Sequence, residues 1–238
     1  MKKVIGFGEI MGRLAPQGFE RFSQSCPGRL DISFAGAEAN VAASVSMLGG
    51  RAAFVSALPG HAIADACVSS LKALDVDTGH IVRTGSGRLG LYFVETGANQ
   101  RPSNVVYDRA GSAVSLTPPE AYDWEAVFAD AGWLHLSGIT PALSRQAAEA
   151  AKVAATKAKA HGLTVSCDLN FRKKLWNWDD SLSPRELAEK TMRELLPQVD
   201  VVVGNEGDAE DVLGIKAGDS DVEAGSLMID KYPEVARR

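Results

Sequence analysis

The sequence predicts an α/β fold: a parallel sheet built from βαβ units, with a small β-strand lid set over one of its edges. Two observations carry that prediction. Short apolar runs rich in β-branched residues alternate with Ala-rich segments of helical length, the rhythm of strands joined by helical crossovers. Between residues 76 and 107 this rhythm stops, and strand-like runs follow one another with only Gly, Ser and Asn turns between them. Consecutive strands without crossovers pair antiparallel, so this stretch is an excursion from the parallel sheet.

Taken in order, residues 4–8 read as a first strand, and 38–48 as a helix entered through Ala35-Gly36-Ala37. Residues 52–58 are a strand and 63–74 a helix. The lid strands follow at 81–83, 89–95 and 104–107, and the irregular, mixed-polar segment 12–33 either joins them or forms a separate surface loop. The βα rhythm resumes with a strand at 133–136, a helix at 145–161 closed by Gly162, a strand at 163–168, a helix at 185–196 and a strand at 199–203. Two helix starts carry a capping signature: Thr117-Pro118-Pro119-Glu120 and Ser183-Pro184-Arg185-Glu186 each place a hydroxyl cap, a proline at the first helical position and a glutamate at the third.

At 238 residues, against a prior of about 150 residues per domain, the chain reads as one domain spanning 1–238, with lid segments 12–34 and 88–110 inserted in it. Its net charge of −5, with no basic cluster denser than Arg172-Lys173-Lys174, argues against nucleic acid as a partner. The longest uncharged stretch, residues 131–144, is shorter than the roughly 20 residues that span a bilayer, so no membrane partner is expected. Glu9 interrupts the apolar run 4–10 before a signal-peptide core is complete, which favours a cytoplasmic address. Cys26, Cys67 and Cys167 are odd in number and far apart, and are expected to be buried structural thiols.

Gly85-Ser86-Gly87-Arg88-Leu89-Gly90 fits the dinucleotide-binding spacing, but a strand follows where a helix must open, so it reads as a hairpin turn. With no phosphate-loop motif either, neither a Rossmann dehydrogenase nor a P-loop NTPase is supported. The segment Gly36-Ala37-Glu38-Ala39-Asn40 is better placed. Small residues let a ligand approach where a helix begins, and Asn40 offers both a donor and an acceptor to a polyhydroxylated ligand, or else caps the helix locally. Strand alternation sets Tyr92 on one face of the lid, and Tyr107 and Arg109 at a strand end. The Arg109 guanidinium there either clasps a carboxylate or pairs with Asp108 at the surface. Asp168, Asn170 and Arg172 follow the carboxyl end of a strand, where open α/β sheets bind ligands, and share a direction if the chain stays extended. Asn205-Glu206-Gly207-Asp208 begins a helix, either as a cap or as a holder of hydrated Mg²⁺.

Read together, Gly36 to Asn40, Gly90-Leu91-Tyr92, Tyr107 to Ala113, His135 to Ser144 and Asp168 to Arg172 resemble the ribokinase-like (PfkB) carbohydrate kinases, in order and over nearly the whole chain. The resemblance implies a three-layer α/β/α ribokinase-like sandwich with a β-strand lid. It implies a cytoplasmic, ATP-dependent kinase acting on a sugar acid, 2-keto-3-deoxygluconate in its narrower form, with ATP and Mg²⁺ as cofactors. Gly36, Ala37, Asn40, Tyr92, Tyr107, Arg109, Ile139 and Arg172 would hold the sugar, Asn170, Arg172 and Asn205 the nucleotide side, and Asp208 the metal. Fructose or another sugar is the alternative substrate, and a non-catalytic sugar-binding remnant the alternative function. The exposed strands of the lid predict a homodimer through lid contact. The family's G-A-G-D signature, which carries its catalytic base and anion hole, has only Lys216-Ala217-Gly218-Asp219 as a counterpart, too early in the order and read as a surface turn. No catalytic base is therefore assigned in this chain; Arg172 supports the phosphates, and the sandwich is expected to be incomplete at its C-terminus, with weak turnover.

Overall fold

A computed structural model describes residues 2–215. The Lys216 to Asp219 string lies outside the described residues. The strands, in chain order, are β1 (Lys3–Phe7), β2 (Met11–Ala15), β3 (Asp31–Ala35), β4 (Ala52–Val55), β5 (Ala57–Pro59), β6 (Val82–Thr84), β7 (Leu91–Glu95), β8 (Asn104–Asp108), β9 (Ala131–Ser137), β10 (Thr164–Asp168) and β11 (Val201–Val203). A parallel sheet runs β11-β10-β9-β1-β4, with Ile5 beside Ala53 on one flank and Leu134 on the other.

The inner part of this sheet is buried on both faces, while Val201 and Val203 on its edge strand β11 are exposed. Within β4, Ala53 and Val55 enter a core shared with Ile5, Leu134, Leu136 and Val165, whereas Ala52 and Phe54 enter a second core with Ala39, Ala42, Cys67 and Leu71. Period-two alternation therefore feeds two apolar layers, which makes the three-layer sandwich. Helix Arg145–Ala160 buries Ala147, Ala150, Ala151, Ala154, Ala155 and Ala158. That i, i+3, i+4 stripe of methyl groups lets its backbone lie close over β9 and β10. Ser144 starts the helix by accepting from the Ala147 amide at 3.0 Å. On the opposite face, helix Ala62–Lys72 is capped by His61, whose Nδ1 accepts from the Ala64 amide at 3.2 Å. No helix among the described residues is long and apolar enough to cross a membrane.

A second sheet, ordered β3-β2-β7-β8, gathers strands from both irregular segments of the sequence. Its outer pairs are antiparallel, but β2 and β7 run parallel. Residues 81–83, expected in this sheet, are not part of it. The predicted strand 52–58 breaks at the buried Ser56, and its second half, β5, pairs in parallel with β6 as a separate ladder, anchored by the Val82 amide donating to the Ser56 carbonyl at 2.9 Å. Gly85 to Gly90 is accordingly a link between sheets and not a hairpin turn, because β6 and β7 do not pair.

Of the two capping signatures, one forms. The Ser183 hydroxyl accepts from the Glu186 amide at 3.3 Å and Glu186 returns a bond to the Ser183 amide at 2.8 Å, opening helix Pro184–Leu195. Thr117 instead donates its hydroxyl to the Ala113 carbonyl at 2.8 Å, closing the short helix before it. Pro118 and Pro119 lead only into the 3₁₀ turn Pro119–Ala121, and the next helix, Trp124–Phe128, is capped by Asp123. The thiols are not alike either: Cys67 and Cys167 are buried as expected, whereas Cys26 is exposed, because the helix Phe22–Ser25 before it buries no residue against the sheets.

Candidate functional site

The carboxyl ends of β1, β9 and β10 finish at one edge of the parallel sheet and are tied there. The Gly138 amide donates to the Asp168 carbonyl at 2.8 Å, the Leu169 amide to the Val203 carbonyl at 2.8 Å, and the Gly8 amide to the Val55 carbonyl at 3.2 Å. Above this edge stands the inner face of the second sheet. Between them is a pocket of about 200 Å³ lined by Glu9, Met11, Ala35, Gly36, Ala37, Glu38, Asn40, Tyr92, Tyr107, Arg109, Ile139, Asn170 and Arg172. Gly36, Ala37, Asn40, Tyr92, Tyr107, Arg109, Ile139, Asn170 and Arg172, singled out in the sequence across 137 positions, all lie on that one surface.

Gly36 and Ala37 begin the helix Ala37–Met47, with Gly36 at its N-cap. A Cβ at Gly36 would stand 2.1 Å from the Glu9 carbonyl, so only glycine allows the helix start to approach the end of β1. The cap position belongs to Gly36, which leaves the Asn40 side chain facing the pocket and not closing the helix. Tyr92 and Tyr107 stand opposite each other on β7 and β8 with ring centroids 6.0 Å apart. Burial raises the Tyr92 hydroxyl above its ordinary range, so it stays a donor at neutral pH.

Arg109 is not the surface arginine that its neighbour Asp108 suggests. Asp108 is taken by Arg88 through two bonds of 2.6 Å, while Arg109 is buried, 5.7 Å from the Tyr107 ring centroid, and forms an ion pair with the buried Glu9. Glu38 is also buried beside the pocket. Its Oε1 accepts from the hydroxyls of Ser137 at 2.6 Å and Thr140 at 3.1 Å, and burial, the largest influence, holds its carboxyl above the usual range.

The segment after β10 departs from the extended path expected of it. Asn170 takes a left-handed backbone, φ 39°, and the Leu175 amide bonds back to the Arg172 carbonyl at 2.8 Å. A turn, not strand alternation, therefore brings Asn170 and Arg172 to the pocket. Asn205 and Asp208 are not on the pocket wall. They form a reciprocal capping box on helix Glu206–Leu213, and Asp208 Oδ1 accepts from the Phe171 amide at 2.9 Å, joining this helix start to the Asn170–Arg172 turn. Asp168 is raised by burial and then by the charge of Asp208, with the Asn170 backbone and the charge of Arg172 opposing the shift. Among the described residues no three His, Cys, Asp or Glu side chains are arranged to hold a metal ion. His135 lies within 2.9 Å of the Ser166 hydroxyl, and burial lowers its pKa.

Glu9 and Glu38 are the charged pocket residues that sequence reasoning did not single out. A usable signal was present in both: each is a lone carboxylate in a run of apolar or small residues, Val4 to Ile10 and Ala35 to Ala39, where a charge is retained only if paired.

Residues 1–233 match the profile of the pfkB family carbohydrate kinases. The chain is 36% identical over 228 residues to a 2-dehydro-3-deoxygalactonokinase of Haloferax volcanii, a match covering 96% of this chain and 68% of that protein. Against a 2-dehydro-3-deoxygluconokinase of Bacillus subtilis it is 30% identical over 142 residues, 60% of this chain and 44% of the relative. In structure it superposes on a 2-dehydro-3-deoxygluconokinase of Thermotoga maritima with a TM-score of 0.90 at 41% identity, covering 99% of this chain and 70% of that one. An ATP-bound fructokinase of Xylella fastidiosa follows with a TM-score of 0.79 at 26% identity, covering 98% and 66%.

Proposed function

The chain belongs to the pfkB family of carbohydrate kinases, and on that premise we propose that its pocket receives a sugar acid, 2-keto-3-deoxygluconate, for phosphorylation by ATP. One observation carries this reading: Asn40, Tyr92, Tyr107, Arg109 and Arg172 meet around a single cavity at the carboxyl edge of a parallel sheet, beneath a second sheet that acts as its lid. Because the chain spans only part of the length of these relatives, the activity of the whole protein is part of the proposal.

Asn40 offers an amide donor and a carbonyl acceptor to sugar hydroxyls, as a polyol requires. Tyr92 donates its phenolic proton, and the Tyr107 ring covers an apolar face of the sugar carbon chain. Arg172, exposed at the rim, supplies a guanidinium that meets a carboxylate or a phosphate with charge-assisted bonds. With Asn170 it stands between the sugar and the nucleotide, and Asn205 lies on the nucleotide side. Asp208, at the start of helix Glu206–Leu213 and tied to the Phe171 amide, would hold Mg²⁺ brought with ATP to neutralise its phosphates. We place the reaction in the cytoplasm. Ile32 and Val106, 52% and 51% exposed on the lid, support a lid-to-lid homodimer that light scattering reads directly.

Calorimetry on the purified chain tests the reading. The sugar acid is expected to bind at least about tenfold more tightly than D-fructose, and Arg172→Ala to remove most of that preference. Equal or tighter binding of fructose would transfer the protein to a neutral-hexose specificity. A chain that binds the sugar acid and turns over none of it would be a binding remnant.

A further inference from the structure

The charges around the pocket do not compose a simple cationic receptor. Two guanidinium groups, Arg109 and Arg172, face it, and two carboxyl groups, Glu9 and Glu38, lie in its floor. Arg109 and Glu9 are side-chain exposed by only 8% and 3%, and they are bonded to each other. Glu9 sits where nothing larger than hydrogen fits beside it: a Cβ at Gly90 would come within 2.8 Å of its Oε1. Arg172 differs. It is exposed, donates to the neighbouring Phe171 carbonyl at 3.2 Å and forms no salt bridge among the described residues, although its charge is felt at Asp168. Glu38 is turned toward its neutral form by burial.

On the sugar-acid reading above, which this inference deepens, we propose that Glu9 is a specificity-determining residue: it is the built-in counter-ion of Arg109, leaving Arg172 as the exposed pocket cation offered to the ligand. Arg109 then contributes directed N–H groups and a wall for Tyr107, but no net charge. The exposed Arg172 guanidinium matches a ligand with one carboxylate. A second free guanidinium would favour more highly charged anions, such as free phosphates, over the sugar acid.

The pairing makes a sign-dependent prediction. Removing the guanidinium alone strands the buried Glu9 carboxylate beside the ligand's carboxylate, whereas removing both charges does not, since a buried ion pair replaced as a pair is commonly tolerated. Binding of 2-keto-3-deoxygluconate and of D-fructose is measured by calorimetry for the wild-type chain, Arg109→Gln, Glu9→Gln and the double variant, with folding checked by circular dichroism. Arg109→Gln is expected to weaken the sugar acid by at least about 30-fold while changing fructose little. Adding Glu9→Gln is expected to recover at least about tenfold of that loss. Glu9→Gln alone is expected to tighten the sugar acid and to steepen its salt dependence, because an unpaired guanidinium now faces the ligand. That variant keeps an oxygen acceptor for Arg109 and supplies the same sign test should Arg109→Gln fail to fold. A double variant no better than Arg109→Gln, or a Glu9→Gln chain that weakens both ligands equally, would overturn the counter-ion role. A wild-type chain preferring fructose would overturn the sugar-acid reading itself, and that comparison involves no variant.

Discussion

Replacing Glu38 by glutamine should change how the stability of this protein depends on pH. The Glu38 carboxyl is 1% exposed and receives the hydroxyls of Ser137 and Thr140, both 0% exposed, on one oxygen. Burial raises its folded-state pKa above the ordinary 4.5, and the opposing bonds from Ser137, its own backbone and Thr140, with the charge of Arg109, only partly offset this. Between 4.5 and the raised value the folded chain therefore holds more protons at this site than the unfolded chain does. Stability from this group is fully present below the unfolded value and is lost as pH rises through the folded one, with a limiting slope of about 1.4 kcal/mol per pH unit. Glutamine does not titrate and keeps a carbonyl oxygen for the two hydroxyls, so the E38Q slope should lack this component. Urea unfolding followed by tryptophan fluorescence, from about pH 5 to about pH 8, gives the two curves. The stability of E38Q minus that of wild type should rise with pH across this range. A difference that stays constant would show that Glu38 ionises as readily in the folded protein as in the unfolded one. Glu38→Ala separates the packing contribution: it leaves two buried hydroxyls without their acceptor, a loss of about 2–6 kcal/mol for the pair.

Two further outcomes follow from the fold. Ser183→Ala removes half of a reciprocal capping box and should lower stability by about 1 kcal/mol in the same urea assay; no change would mean that Pro184 and the buried face of the helix hold its start alone. Cys26 is exposed, whereas burial pushes the Cys67 thiol up to about 12 and the Cys167 thiol higher still, so a thiol reagent should titrate one cysteine in the native chain and all three after denaturation. Rapid reaction of two or more native thiols would contradict the packing around helix Ala62–Lys72 and β10.

Much of this molecule was legible in one dimension because its strongest signals are local. The alanine stripe of helix Arg145–Ala160 repeats at the helical period, and the Ser183 box lies within four residues. The Thr117 signature was equally local and failed, since a carbonyl one turn back, on Ala113, competed for the same hydroxyl. Of the lid strands β7 and β8 were found, but the pairing of β6 with β5, and the parallel pairing of β2 with β7, join segments 25 and 79 residues apart and leave no trace in either run alone. At the site, Asn40, Tyr92, Arg109 and Arg172 were recognisable because their motifs are short and ordered. Glu9 was visible only as an interruption of an apolar run, and its meaning waited on Arg109, a hundred residues away.

By itself, then, the sequence determined the alternation of strands and helices and the polar residues that end the parallel strands, since each depends on residue period and on neighbours a few positions apart. Tertiary structure alone decided which of those polar residues face one another, that Arg109 is spent on Glu9, that a left-handed turn at Asn170 aims Arg172, and that Cys26 is bare. The physical reason is common to all four: electrostatic pairing and burial depend on distances in space, and only chain closure brings distant residues to within a few ångströms.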